Sequence, residues 1–170
     1  AWKLCEQAIV RIRELENEIG CFFDRNPDGT LHQKAFAGQT ADRTVHKGDL
    51  TGIEIVSRLM EQVLARPLEK LQEHRAIGLI PTKDGAAVAG VLFIDMRSGT
   101  FRFVRAKTVL MATGGGPTMY KYHTPSGDKT MDGLAMALRA CLPLRDMEMV
   151  QFHPTGLLAG EHTRMTGTVL

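Results

Sequence analysis

Between residues 86 and 112, apolar runs follow one another across gaps too short for a crossover helix: AAVAGVLFIDM, TFRFVRA and TVLMA. Parallel neighbours need about a dozen connecting residues or more, so adjacent runs here must pair as antiparallel hairpins. Turn residues stand where those hairpins need them, at Lys83-Asp84-Gly85 and Arg97-Ser98-Gly99. The centre of the chain is therefore expected to be a β-meander. The segment just before it, LEKLQEHRAIGLI, has helical propensity but follows Pro67 and contains Gly78, so it reads as helix or as one or two strands.

Helical periodicity frames this meander. Cys5, Ala8, Ile9, Ile12, Leu15 and Ile19 recur at three- and four-residue spacing, with Arg11, Arg13, Glu14 and Glu18 on the other face and Gly20 as the stop. FFDRNPDGTLHQKAF then reads as a short hairpin turning at Asn26-Pro27-Asp28-Gly29, and residues 37–50 read as loop. Thr51 and Glu54 have capping-box spacing and open a helix whose face is Ile55, Val56, Leu59, Met60, Val63 and Leu64, ended by Pro67. A last helix starts near Thr130, with Asp132 in its first turn, buries Leu134, Met136 and Leu138, and stops before Pro143. The fold class expected is mixed α/β (α+β).

Composition excludes several functions. A chain of 170 residues with 44% hydrophobic and 24% charged residues is that of a globular domain. A net charge of +2 is too small for a dedicated nucleic-acid surface. No apolar run is long enough to span a membrane, and the start does not resemble a signal peptide. Cys5, Cys21 and Cys141 are too far apart for a CxxC motif and fit reduced thiols in the cytoplasm. The six histidines form no metal-ligand spacing, so no metal site is expected. Because the chain opens without methionine on a helical pattern and stops at TGTVL, it reads as an internal segment of a longer protein.

Two stretches offer chemistry. TVLMA runs straight into Thr113-Gly114-Gly115-Gly116-Pro117, and glycines after a buried strand let backbone amides approach a ligand closely. A tight turn leaving a sheet explains the same residues, and neither GxGxxG nor a P-loop occurs. In MEMVQFHPTG, Pro154 biases His153 toward extended backbone, and Thr155-Gly156 completes a turn. An imidazole there can bind a carboxylate or move a proton, but on these residues alone a structural histidine beside a turn is the favoured reading. YKYHTPSGDKT reads as an exposed or ligand-covering loop, with His123 as a solvated residue.

The order of these pieces resembles a known family. TVLMATGGG, then MDGLAMALRACLPLRDMEMVQFHPTG, is similar to the flavoprotein subunit of succinate dehydrogenase and fumarate reductase, and to the related L-aspartate oxidases. Upstream, DGTLHQKAFAGQ, DLTG and KDGAAVAGV extend the likeness over nearly the whole chain. The resemblance implies a partial FAD-binding domain of the glutathione-reductase-like class over residues 1–150, lacking its N-terminal βαβ unit. A capping domain would begin over residues 151–170. Ala112, Thr113, Gly114, Gly115 and Asp132 would contact FAD, while His153 and Phe36 would meet a bound succinate or fumarate. LEKLQEH would be a strand of the nucleotide-binding sheet. The partners implied are an iron–sulfur subunit and a membrane anchor, with the parent peripheral on the cytoplasmic face, and an exposed sheet edge leaves self-association open.

Departures from the family pattern stand out. Ala37 replaces a common glycine, Gly116-Pro117-Thr118 replaces Ala-Gly-Arg, and Met131 replaces the glycine before Asp132. The family's proton-donating arginine would lie beyond Leu170, so no catalytic residue is assigned here, and the segment alone is expected to be inactive and to bind FAD weakly. An L-aspartate oxidase, or a cofactor-free fragment without activity, are the alternative readings.

Overall fold

A computed structural model describes residues 1–36 and 38–152. The chain forms two compact units, Ala1–Lys70 and Leu71–Leu170, the second described through residue 152. His153 and the rest of the expected cap lie outside the described residues.

In the first unit, helix α1 spans Trp2–Asn17 and is closed by Glu18, whose amide donates to the Glu14 carbonyl. Only the C-terminal part of its apolar stripe is covered: Ile12, Leu15 and Ile19 are half-buried, while Cys5, Ala8 and Ile9 stay exposed. The Asn26–Gly29 turn forms as read, with the Asn26 amide on the Thr30 carbonyl at 2.8 Å and a single bridge pairing Arg25 with Leu31. The return strand pairs elsewhere. Strand β1 (Gln33–Lys34) lies antiparallel to β2 (Thr44–Val45), which falls inside the stretch expected to be loop. Behind this ladder sit the buried side chains of Cys21, Phe23 and His46, and burial pushes the Cys21 thiol up.

Helix α2 (Thr51–Leu64) departs from its sequence reading in two ways. The capping box does not form, because the N-cap is Leu50 and Thr51 is already helical. The Thr51 hydroxyl accepts instead from the Lys47 amide at 3.0 Å. The Glu54 carboxylate accepts from the Phe22 amide at 2.9 Å, which holds its carboxyl below the usual range. The helix also turns a different edge inward. Glu54, Arg58 and Gln62 face the segment after α1, with Arg58 5.3 Å from the centre of the Phe22 ring and Gln62 donating to the Ile19 carbonyl. Val56, Leu59, Met60, Val63 and Leu64 are left exposed. Backbone amides of a tight turn need acceptors, and no described apolar surface competes for the other face.

In the second unit the meander forms as the turn spacing requires: β3 (His74–Pro81), β4 (Val88–Asp95) and β5 (Phe101–Arg105) pair antiparallel in the order β3-β4-β5. The ambiguous segment resolves into strand only from His74, and Leu68–Glu73 is not strand. TVLMA joins no sheet either: residues 106–116 are irregular, and Leu110 is 91% exposed. β propensity without a neighbouring strand supplies no ladder bonds. Helix α3 (Asp132–Arg139) lies against β3 and buries Gly133, Met136 and Ala137. Met136 was expected inside, but Leu138 points out and Ala137 takes the inner position.

Gly90 in β4 is the tightest point of the meander, since a Cβ there would come 2.1 Å from the Val104 carbonyl oxygen. Gly90→Ala is therefore expected to cost about 1–3 kcal/mol by forcing β4 and β5 apart. Gly52→Ala, on a helical position with open space around it, should instead stabilise by up to about 1 kcal/mol. Thermal unfolding of the two variants checks the contrast.

Candidate functional site

Three segments of the second unit meet at one cleft: the start of β3, the Thr113–Gly116 turn, and the N-terminus of α3. It has a volume of about 170 Å3, and its lining includes Arg75, Thr113, Thr130, Met131, Asp132 and Gly133. The glycine turn and the helix-start aspartate meet at the same place.

Close approach makes this possible. A Cβ on Gly133 would lie 1.8 Å from the Thr113 hydroxyl oxygen, so the first turn of α3 can rest on Thr113 only with glycine at 133. Gly114, at φ +71°, turns the chain so that Ala112–Gly115 run exposed past the helix start. Thr118 pins the far end of the turn, its hydroxyl donating to the Lys129 carbonyl at 2.7 Å.

Met131, the N-cap, sits at φ +67°, in the left-handed region that favours glycine, at a cost of about 1 kcal/mol or more for a side chain. Its side chain fills the space beside Gly116, where a Cβ would come 2.5 Å from Met131 Cβ and 2.9 Å from its sulfur. Two departures noted in the sequence thus meet in space. The methyl missing at 116 and the side chain gained at 131 occupy a single volume.

Electrostatics at the cleft are set by Asp132. Arg75 donates to its Oδ2 at 2.7 Å. The Thr130 hydroxyl first, and Arg75 second, hold its carboxyl below the usual carboxylate range. Exposed amides, a helix N-terminus and a guanidinium together favour an anionic or hydroxyl-bearing ligand over an apolar one.

Of the residues singled out from sequence, Thr113 and Asp132 line the cleft, and Ala112, Gly114 and Gly115 lie on the same turn. Phe36 belongs to the first unit, half exposed, with Lys34 Nζ 5.7 Å from its ring centre. His153 lies outside the described residues. His123 is half-buried, and its Nδ1 donates to the Pro125 carbonyl at 2.9 Å, a structural use within the loop. Arg75 and Thr130 were not anticipated. A lone cation entering the apolar run AIGLI was the signal for Arg75; Thr130 offered none beyond preceding a helix. Among the described residues no cluster of side chains could hold a metal ion, and no helix is long and apolar enough to cross a membrane.

Comparison with known proteins places the chain. The FAD binding domain family matches residues 3–170. The chain belongs to that family. It is 39% identical to a fumarate reductase flavoprotein subunit of a Serratia species, over 91% of this chain and 27% of that protein. It is 36% identical to a mitochondrial succinate dehydrogenase flavoprotein subunit of rice (Oryza sativa subsp. japonica), over 98% of this chain and 28% of that one. Among solved structures, E. coli quinol fumarate reductase superposes with a TM-score of 0.83 at 38% identity, over 89% of this chain and 26% of that chain. The chain thus spans little more than a quarter of the length of these relatives.

The residues present fit an edge of FAD: Ala112–Gly115 run exposed beside the N-terminus of α3, where backbone amides can take sugar or phosphate, while a cleft of this size is too small for a whole dinucleotide. Gly133→Ala is expected to dislodge α3 and cost about 1–3 kcal/mol, with part recovered by Thr113→Ala in the double variant, read from unfolding midpoints. Thr130→Val should raise the Asp132 carboxyl toward its ordinary value, and more than Arg75→Ala does, as followed by carboxyl NMR titration. Because this group is depressed when folded, whatever stability it contributes is present above the unfolded carboxyl value of about 3.9 and fades as pH falls further.

Proposed function

We propose that this chain is part of a flavin-dependent oxidoreductase that interconverts succinate and fumarate. The observation that carries the reading is the convergence of Thr113 and Asp132 on one glycine-shaped cleft in a chain of the FAD binding domain family. Residues 1–150 are read as part of a glutathione-reductase-like FAD-binding domain, and residues 151–170 as the opening of a capping domain.

Ala112, Thr113, Gly114 and Gly115 would lie along the FAD with their backbone amides. Asp132, ionised and oriented by Thr130 and Arg75, would accept from its hydroxyls. Bound FAD supplies a hydride acceptor or donor for the C–C bond of the substrate. His153 is proposed to donate to one carboxylate of the dicarboxylate, and Phe36 to wall the site against water. A planar dicarboxylate needs such handles because hydride transfer requires it clamped over the ring. An iron–sulfur subunit and a membrane anchor are the proposed partners, on the cytoplasmic face, in keeping with relatives that are flavoprotein subunits.

The test is made in the full-length protein. Asp132→Ala should weaken flavin retention about tenfold or more, seen as loss of flavin absorbance on gel filtration. His153→Ala should keep the flavin but weaken dicarboxylate binding about ten- to a hundredfold. A His153→Ala protein that binds succinate and fumarate unchanged overturns the substrate reading.

A further inference from the structure

The first unit holds a polar cluster that the flavin reading leaves unused. His46 is 6% exposed. Its Nε2 lies 2.7 Å from His32 Nδ1, with the two rings edge to face at 80°. His46 Nδ1 lies 3.2 Å from Asp24 Oδ2 but has no aligned hydrogen-bond partner. That carboxylate is already committed: Gly48 donates its amide to Oδ2 at 2.6 Å, and Lys47 Nζ lies 3.2 Å from Oδ1. The Gly48 amide chiefly, then the Lys47 ammonium, hold the Asp24 carboxyl below its usual range.

The backbone runs through the same three residues. The Asp24 amide donates to the His46 carbonyl at 2.9 Å, and the His32 amide donates to the Asp24 carbonyl at 2.8 Å. His32 immediately precedes β1 and His46 immediately follows β2. The cluster therefore stands at the base of the loop joining β1 to β2, which carries Phe36. Within the loop, Ala35 donates its amide to Asp42 Oδ1 at 2.8 Å and Phe36 to Gln39 Oε1 at 3.2 Å.

We propose that His32 and His46, backed by Asp24, are positioning residues that clasp the Phe36 loop through one shared proton. The stereochemistry of the contact dictates this. A neutral imidazole has one donor and one acceptor nitrogen, so the pair can bond when both rings are neutral. One added proton is tolerated, since the imidazolium donates to the lone pair of its neighbour. Two added protons set N–H against N–H at 2.7 Å and put two cations in contact, and the clasp must open. Among the described residues, Asp24 lies 3.2 Å from His46 and Lys47 lies 3.2 Å from Asp24; on β1 and the segment after β2, Lys34 and Asp49 lie 3.7 Å from each other. Among the described residues Asp24 is the carboxylate in contact with the pair, and it is shared with Gly48 and Lys47.

The clasp stands on this geometry alone; its consequence for substrate rests on the reading of Phe36 above. The primary measurement is therefore amide hydrogen exchange of the full chain, corrected for intrinsic rates, at about pH 8 and about pH 4, endpoints on either side of the range in which imidazoles charge. Amides of residues 33–36 and 43–46 should lose protection by about fivefold or more at the acid end, while those of β3 and β4 do not. His32→Gln should abolish the difference, because its amide can donate to or accept from His46 in either state of that ring. Equal protection of the loop at both pH values overturns the proposal, and so does an equal loss in His32→Gln. Should that variant fail to fold, NMR of the wild-type imidazole nitrogens decides. A coupling between His32 Nδ1 and His46 Nε2 is expected at about pH 8 and lost at about pH 4, and its absence at both overturns the clasp. In the full-length protein the same acidification should raise the dicarboxylate KM more than it lowers kcat. Loop opening without that KM change removes the role of Phe36 and leaves the clasp standing.

Discussion

Helix α3 rests on Thr113 because Gly133 presents no Cβ to it: a methyl there would overlap the threonine hydroxyl at 1.8 Å. Everything in the candidate site follows from that approach. It brings the helix N-terminus and Asp132 to the glycine turn, sets Arg75 of β3 within hydrogen-bond reach of the carboxylate, and leaves Ala112–Gly115 exposed. Packing at this density cannot absorb an extra methyl without moving a backbone.

Met131 and Gly116 extend the same constraint. In the family pattern a glycine precedes the aspartate and an alanine stands in the turn. Here Met131 occupies the space that a side chain at 116 would enter, and it does so with a left-handed backbone. The conformation is evidently set by the docking of α3 rather than by the residue that adopts it, since a methionine alone would not choose it. Local preference has yielded to tertiary contact.

The first unit is organised differently, around polar groups. Glu54 gives its carboxylate to the Phe22 amide, Asp24 gives its own to Gly48, and a buried histidine pair closes the β1–β2 loop. Apolar stripes on α1 and α2 contribute little to the described contacts. Periodicity predicted the helices correctly but named the wrong inner edge of α2, because a 3.6-residue repeat reports which face is apolar and not what surface lies opposite.

What the sequence alone determined is what short-range chemistry dictates. The meander followed from turns too short for anything else, the Asn26–Gly29 turn from its residues, and the three long helices from spacing. Motif order further identified the flavoprotein family. The sequence could not decide that TVLMA would remain unpaired, since a strand exists only with a neighbour to accept its hydrogen bonds. Nor could it join Gly116 to Met131, Arg75 to Asp132 or His32 to His46, pairs separated in the chain by 14 to 57 residues. Those contacts are made by the docking of whole elements, and only the tertiary structure turns a glycine-rich run and an isolated aspartate into one cleft.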